Sequence, residues 1–224
     1  MPPIRKGDGT PVAPKGISQV RTGDGRILFD GVAIPDSDIA QFEDGSLHPS
    51  FTGDTSAYEV NSDQSISGSH SLENTQTDQD EIISTSGLDQ YPEVGQRISC
   101  YQYPRNDDLP LYTFGVQSLE NWYGVGLNPS TDELIVTKDL FSSDQRASVS
   151  ISNDTWYDVE AEWTSSGITA RVFDVDQSTG DRQGSALASV TFSDSSYSSG
   201  GIGFRDASTG GSSRYDDYRI LESI

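Results

Sequence analysis

Cysteine occurs once, at Cys100, so no disulfide can form within the chain and the redox compartment stays open. Its setting, Arg97-Ile-Ser-Cys-Tyr-Gln-Tyr103, suits a small side chain buried in a strand. Lysine occurs only three times. With 11 arginines it faces 25 aspartates and 10 glutamates, for a net charge of -21. So few cations argue against nucleic acid as a partner, because affinity for phosphate backbones comes from Lys and Arg displacing condensed counterions. The two histidines, His48 and His70, are too scattered from each other and from Cys100 to read as zinc ligands. No apolar run approaches the ~20 residues of a membrane span. The opening Met1-Pro-Pro-Ile-Arg-Lys-Gly has no apolar h-region, so export by a standard signal peptide is not expected.

What is present is acid, spread along the chain rather than gathered in a tail. Such a surface repels itself at ordinary ionic strength, whereas in molar salt the Debye length falls to ~3 Å and the repulsion is screened. The abundance of Asp and poverty in Lys resemble haloarchaeal proteins. At 33% hydrophobic residues, disorder competes with folding as a reading. Periodicity decides for folding. Short alternating or β-branched runs recur between turn signals at Arg97 to Tyr103, Leu111 to Gln117, Trp122 to Leu127, Glu133 to Lys138 and Ala147 to Ile151. They continue at Trp156 to Trp163, Ile168 to Phe173, Ala186 to Phe192 and Tyr215 to Leu221. These runs predict an all-β fold, an antiparallel sandwich or jelly roll, with no amphipathic helix. Residues 158 to 164 alternate with period two, placing Val159, Ala161 and Trp163 on one face of a half-exposed strand and carboxylates on the other.

Residues 1–36 differ, with prolines at 2, 3, 11, 14 and 35 and two similar stretches, Ile4 to Val12 and Val20 to Leu28, each built around Gly-Asp-Gly. Two tiny hairpins cannot bury a core of their own. They read as an extended arm that needs a partner surface or a neighbouring subunit, made locally basic by Arg5, Lys6, Lys15, Arg21 and Arg26. Residues 37–224 form the large domain.

Four segments of that domain resemble concanavalin A-like, laminin G-like domains. They are Phe42-Glu-Asp-Gly-Ser-Leu with Tyr58-Glu-Val and Gly68-Ser-His-Ser-Leu72; Phe114-Gly-Val-Gln with Asn121-Trp-Tyr-Gly-Val-Gly; Trp156-Tyr-Asp-Val-Glu-Ala-Glu-Trp with Ile168 to Asp176; and Gly200-Gly-Ile-Gly-Phe-Arg with Tyr215-Asp-Asp-Tyr-Arg-Ile. The order of the segments, over about four-fifths of the chain, is more specific than any one of them. The resemblance implies a two-sheet antiparallel jelly roll of a family that commonly binds carbohydrate, often with a structural calcium ion. The arm resembles short repeats in tail and virion proteins of viruses infecting haloarchaea. Together these imply a virion surface protein and a homo-oligomer, its arm bound to other virion proteins in a capsid or tail and its lectin-like domain attached to host surface glycan or stabilising the particle. The alternative is a cellular lectin-like module at the haloarchaeal cell surface.

Some relatives are glycanases, which need two carboxylates on one strand face, ~5 Å apart for retention. Their Glu-x-Asp-x-x-Glu signature is missing. Glu160 and Glu162 share a face but read as surface carboxylates, so no enzyme is expected. For calcium, Glu43 and Asp44 at the domain's start and Asp216 and Asp217 on its last strand are the candidate ligands, with solvent-facing turn acids as the competing reading. Asp174-Val-Asp176 with Asp181 has its glycine one position late for a calcium loop and reads as a turn. A sugar platform needs aromatic faces beside hydrogen-bonding groups, which Tyr101, Tyr103, Tyr112, Asn121, Tyr123 and Arg205 offer. Alternation buries about half of any such set, so the tyrosines stay open between platform and core. Trp122, Trp156, Trp163 and Phe204 read as core.

Overall fold

A computed structural model of the chain describes residues 42–207 and 211–223. The arm and its Gly-Asp-Gly repeats lie outside the described residues. Among the described residues fourteen strands follow one another: β1 (Thr52–Gly53), β2 (Tyr58–Asn61), β3 (Ser71–Asn74), β4 (Glu81–Ser84), β5 (Gln96–Tyr103), β6 (Pro110–Ser118), β7 (Asn121–Asn128), β8 (Glu133–Lys138), β9 (Ser143–Ser148), β10 (Tyr157–Thr164), β11 (Gly167–Asp174), β12 (Ala188–Phe192), β13 (Gly201–Asp206) and β14 (Arg214–Ser223). They build two seven-stranded antiparallel sheets, ordered β1-β4-β13-β6-β7-β8-β9 and β12-β11-β10-β5-β14-β3-β2. This is the predicted all-β jelly-roll sandwich.

Strand alternation explains what lies between the sheets. On β5, Ile98 and Cys100 point inward; on β10, Val159, Ala161 and Trp163 do so. Trp163 meets Phe114 and Tyr123 edge-on at 5.1 and 5.9 Å, and Phe204 packs against Phe42, Phe51 and Tyr215. Gly115 lies under the Trp163 ring with φ +61°, where a Cβ would come within 2.9 Å of it. The Cys100 thiol sits wholly inside, 3.5 Å from the Asp216 carbonyl, and burial pushes its pKa well up.

Two smaller apolar layers lie outside the main core. Trp122, Leu111, Val116 and Ile135 form one on the outer face of the first sheet. Ile66, Tyr101, Trp156 and Val175 form the other on the outer face of the second. The four aromatic residues expected in the core are thus all buried, but Trp122 and Trp156 serve these outer layers.

One expected strand is displaced. Ala147 to Ile151 reads as a strand, yet β9 runs Ser143–Ser148 and Ile151 turns into the core, its amide held by Asp132 Oδ1 at 2.9 Å. β9 is an edge strand of largely exposed polar residues, so it offers no apolar alternation to read.

Asp216 fastens β14 to the 62–70 connection, accepting the Ile66 and Ser67 amides at 2.9 Å each while its other oxygen stays buried without a partner. Burial, opposed by those two amides and reinforced by Asp217 and Glu43, raises its pKa to about 8. The unfolded value is about 3.9. A carboxyl whose pKa rises on folding contributes stability that is full below the unfolded value and is lost as pH climbs through about 8. Asp216→Asn keeps an acceptor for both amides and removes the charge. Thermal melts in chelator should show the wild type losing more stability than this variant between pH 5 and 9. The expected gap is about 2–4 °C for each ~1 kcal/mol of linked proton affinity; parallel curves would refute the assignment.

Candidate functional site

The second sheet's outer face holds a charged recess of about 280 Å3. Its floor comes from register. Asp158 of β10 and Asp216 of β14 both pair with Tyr101 of β5, while Glu160 and Arg219 both pair with Ser99. Period two therefore sets Asp158 and Glu160 on one side of the β5 row and Arg219 on the other, with Arg97 farther along β5. The wall is the connection between β11 and β12, residues 175–187, where Val175 bridges Arg182 and Gly180 turns with φ +74°. The Tyr101 hydroxyl donates to the Gly180 carbonyl at 2.8 Å, joining floor to wall. A Cβ on Gly180 would approach that hydroxyl to 2.9 Å, so glycine is required by both space and conformation.

Asp158 and Glu160 are each only 2% exposed, against the expectation of surface carboxylates on a half-exposed strand. Arginines from four separate segments enclose them. Arg182 reaches Asp158 Oδ2 at 2.7 Å and Glu160 Oε2 at 2.9 Å; Arg219 reaches Asp158 Oδ2 at 3.0 Å. Arg171 spans Glu160 at 3.1 Å and Glu162 at 2.8 Å, and Arg97 stands 3.7 Å from Glu160. The Arg182 guanidinium also stacks on Phe173, and that of Arg219 covers the Tyr101 ring at 4.4 Å. Burial works against the charge on Arg182 and Arg219, but Asp158 first, aided by Glu160 for Arg182 and by Tyr101 and Asp217 for Arg219, raises both pKa values. Asp158 Oδ1 remains buried with no hydrogen-bond partner.

The residues expected to bind sugar are spread through the molecule. Tyr101 lies on the recess floor, and Tyr103 follows it on the same face, its ring 5.0 Å from Trp156. Tyr112 and Tyr123 are wholly buried between the sheets, Tyr123 bonded to Asp194. Asn121 is exposed at the start of β7 and donates to Ser118 Oγ at 2.7 Å. Arg205 is on the outer face of the opposite sheet, paired with Glu81 at 2.9 Å beside Trp122. Burial raises the Glu81 pKa to about 7 despite that partner. Of the six, Tyr112 and Tyr123 share the inner face of the first sheet, and only Tyr101 and Tyr103 share an outer face.

The candidate calcium ligands are occupied locally. Glu43 accepts the Ser69 and His70 amides and the Ser69 hydroxyl, and Asp44 accepts the amide and hydroxyl of Ser46 in its own turn. Asp216 holds the 62–70 connection, and Asp217 lies 3.5 Å from Arg219. Among the described residues no three His, Cys, Asp or Glu side chains gather as a metal site, while Asp217 and Glu43 lie near enough to Asp216 to help raise its pKa. Asp176 and Asp181 bind Ser178 and Thr179 within their own turn, as expected of a hairpin connection.

Sequence reasoning missed Arg97, Asp158, Arg182 and Arg219. The signal for three of them is parity, since each falls at an outward position of a strand whose inward residues are apolar. Arg182 lies in a connection and carries no such signal.

No family model and no curated protein matches the sequence. Among solved structures the chain is similar to the carbohydrate binding module CBM66 from Bacillus subtilis, at 10% identity and a TM-score of 0.52, over 74% of this chain and 96% of that one. It is also similar to the exoplasmic/lumenal domain of VIP36 in its Ca2+-bound form, at 9% identity and a TM-score of 0.52, over 83% of this chain and 89% of that one. At such identities the likeness is one of fold, and the fold is the concanavalin A-like jelly roll that the order of segments implies.

Proposed function

We propose that this chain is a lectin-like carbohydrate-binding module that holds sugar in the recess over β5, β10 and β14 and does not cleave it. The observation that carries the reading is the lining of the recess, where the guanidinium donors of Arg97, Arg182 and Arg219 stand beside the carboxylates of Asp158, Glu160 and Asp181. A sugar hydroxyl both donates and accepts a hydrogen bond, so a lining that mixes donors with acceptors suits it. The similarity in fold to a carbohydrate binding module supports the same reading. Hydrolysis requires a free carboxylate nucleophile or base and a protonated acid. Here Glu160 faces three guanidiniums and Asp158 two, so neither carboxylate is free to act as nucleophile or base.

The finer reading places the module on the surface of a haloarchaeal virus, where residues 1–36 attach to other virion proteins and the recess takes host surface glycan. It rests on the Gly-Asp-Gly repeats and the acid-rich, lysine-poor composition.

On a glycan array in molar salt the protein should bind at least one host-type glycan. Arg97→Ala should weaken that binding about tenfold or more, the loss of one charged hydrogen bond of ~1.5–3 kcal/mol. Unchanged affinity would remove the recess as the site. No reducing sugar should be released from β-glucan. Mass spectrometry of purified virus particles should find the chain; its presence on cells and absence from particles would favour the cell-surface module.

A further inference from the structure

We infer that the recess takes an acidic sugar, whose oxyanion, the carboxylate of a uronic acid or a sulfate ester, closes on the guanidinium fork of Arg97. The inference rests on the carbohydrate-binding reading and specifies its ligand. It is carried by one uncommitted cation and by the way the groups around it are already committed.

Eight arginines lie among the described residues. Seven of them donate at least one hydrogen bond from the guanidinium to a protein oxygen. The described lysine, Lys138, does the same from its ammonium group. Arg97 alone among these cations donates none, its one ion-pair contact being Glu160 Oε2 at 3.7 Å. Its side chain is 33% exposed and lines the recess. With 35 acids against 14 lysines and arginines in the chain, a guanidinium is not left without a bond for want of acids.

Nor is Arg97 needed to neutralise its neighbours. Glu160 already receives Arg171 on Oε1 at 3.1 Å and Arg182 on Oε2 at 2.9 Å. Glu162, opposite Arg97 in the register of β5 and β10, is held by Arg171 at 2.8 Å. Asp217 lies 3.5 Å from Arg219. No acid beside the recess holds Arg97 closely, so its N–H groups are available to a ligand.

The acceptors of the lining are committed in the opposite sense. Arg182 and Arg219 share Asp158 Oδ2, while its Oδ1 is sealed from solvent. Asp181, exposed on the wall, is the carboxylate left within reach of sugar hydroxyls. At Arg97, then, a ligand meets donors and no acceptor. A hydroxyl oxygen takes up one N–H at a time, whereas a carboxylate accepts two in parallel, and charged bonds of this kind are about twice as strong as neutral ones. The net charge of -21 opposes an anion at low ionic strength, but in molar salt that repulsion is screened within ~3 Å and the short contact at Arg97 decides. Leu221, the apolar member of the lining, offers a surface to the C–H groups of the ring.

Full-length protein in molar NaCl can be titrated with glucuronate, galacturonate and glucose 6-sulfate beside glucose and galactose, and with the bound array glycan before and after its acid groups are removed. At least one acidic sugar should bind about tenfold or more tighter than its neutral parent, and which one does so tells a uronate from a sulfate. Reducing the glycan's carboxyl groups to alcohols, or cleaving its sulfate, should lower its affinity by a similar factor. Arg97→Gln should erase the preference for the acid while leaving the neutral parent's affinity within about twofold. Arg97 makes no hydrogen bond within the fold, so this variant should melt with the wild type. Arg146→Gln, on β9, should leave both affinities unchanged. The inference is overturned if the neutral parent binds as tightly as the acid, or if Arg97→Gln keeps the preference, and either outcome leaves carbohydrate binding standing. Binding of no array glycan and no monosaccharide would remove the proposed function itself.

Discussion

Two carboxylates on β10, Asp158 and Glu160, are enclosed on the outer face of a sheet, and that is tolerable only because arginines from four separate parts of the chain converge on them. Taking an ion out of water costs several kcal/mol, recovered only with close partners and further hydrogen bonds. Arg97 is supplied by β5, Arg171 by β11, Arg182 by the connection beyond it and Arg219 by β14. The requirement thereby ties the middle of the second sheet to its wall and to the chain's last strand. The recess is the space left where this network is not quite closed.

The same network stands apart from the rest of the surface in its response to salt. Exposed pairs such as Arg146 with Glu133 and Arg105 with Asp154 lie in solvent that molar salt screens within ~3 Å. Pairs built on Asp158 and Glu160 are shielded by burial and keep their attraction. A chain of net charge -21 can therefore rely on salt to quiet its surface without losing the electrostatics that shape its site.

Much of the fold was legible because inward positions of β5, β10 and β11 alternate cleanly with polar ones. β6 was harder. Seven of its nine residues are buried, so the sequence could not say whether Tyr112 faced the core or a ligand, and it faces the core. The site was legible in part: Asp158, Glu160 and Glu162 share a face by spacing alone, but a run of acids in so acidic a chain looks like solvated surface. What changes their meaning is contact with arginines 9 to 63 residues away in sequence, and no local pattern records that. Asp216 shows the same limit, since its role depends on amides 149 and 150 residues earlier.

The enclosed thiol of Cys100 has a practical corollary. Thiolate is the reactive form, and this sulfur is both sealed from solvent and held protonated by its surroundings. A cysteine introduced anywhere on the surface would be the one sulfur open to a maleimide or a spin label, with no need to remove the native one. Pairs of such probes, one among residues 1–36 and one beside the recess, would report distances between the two in dilute solution and at molar salt.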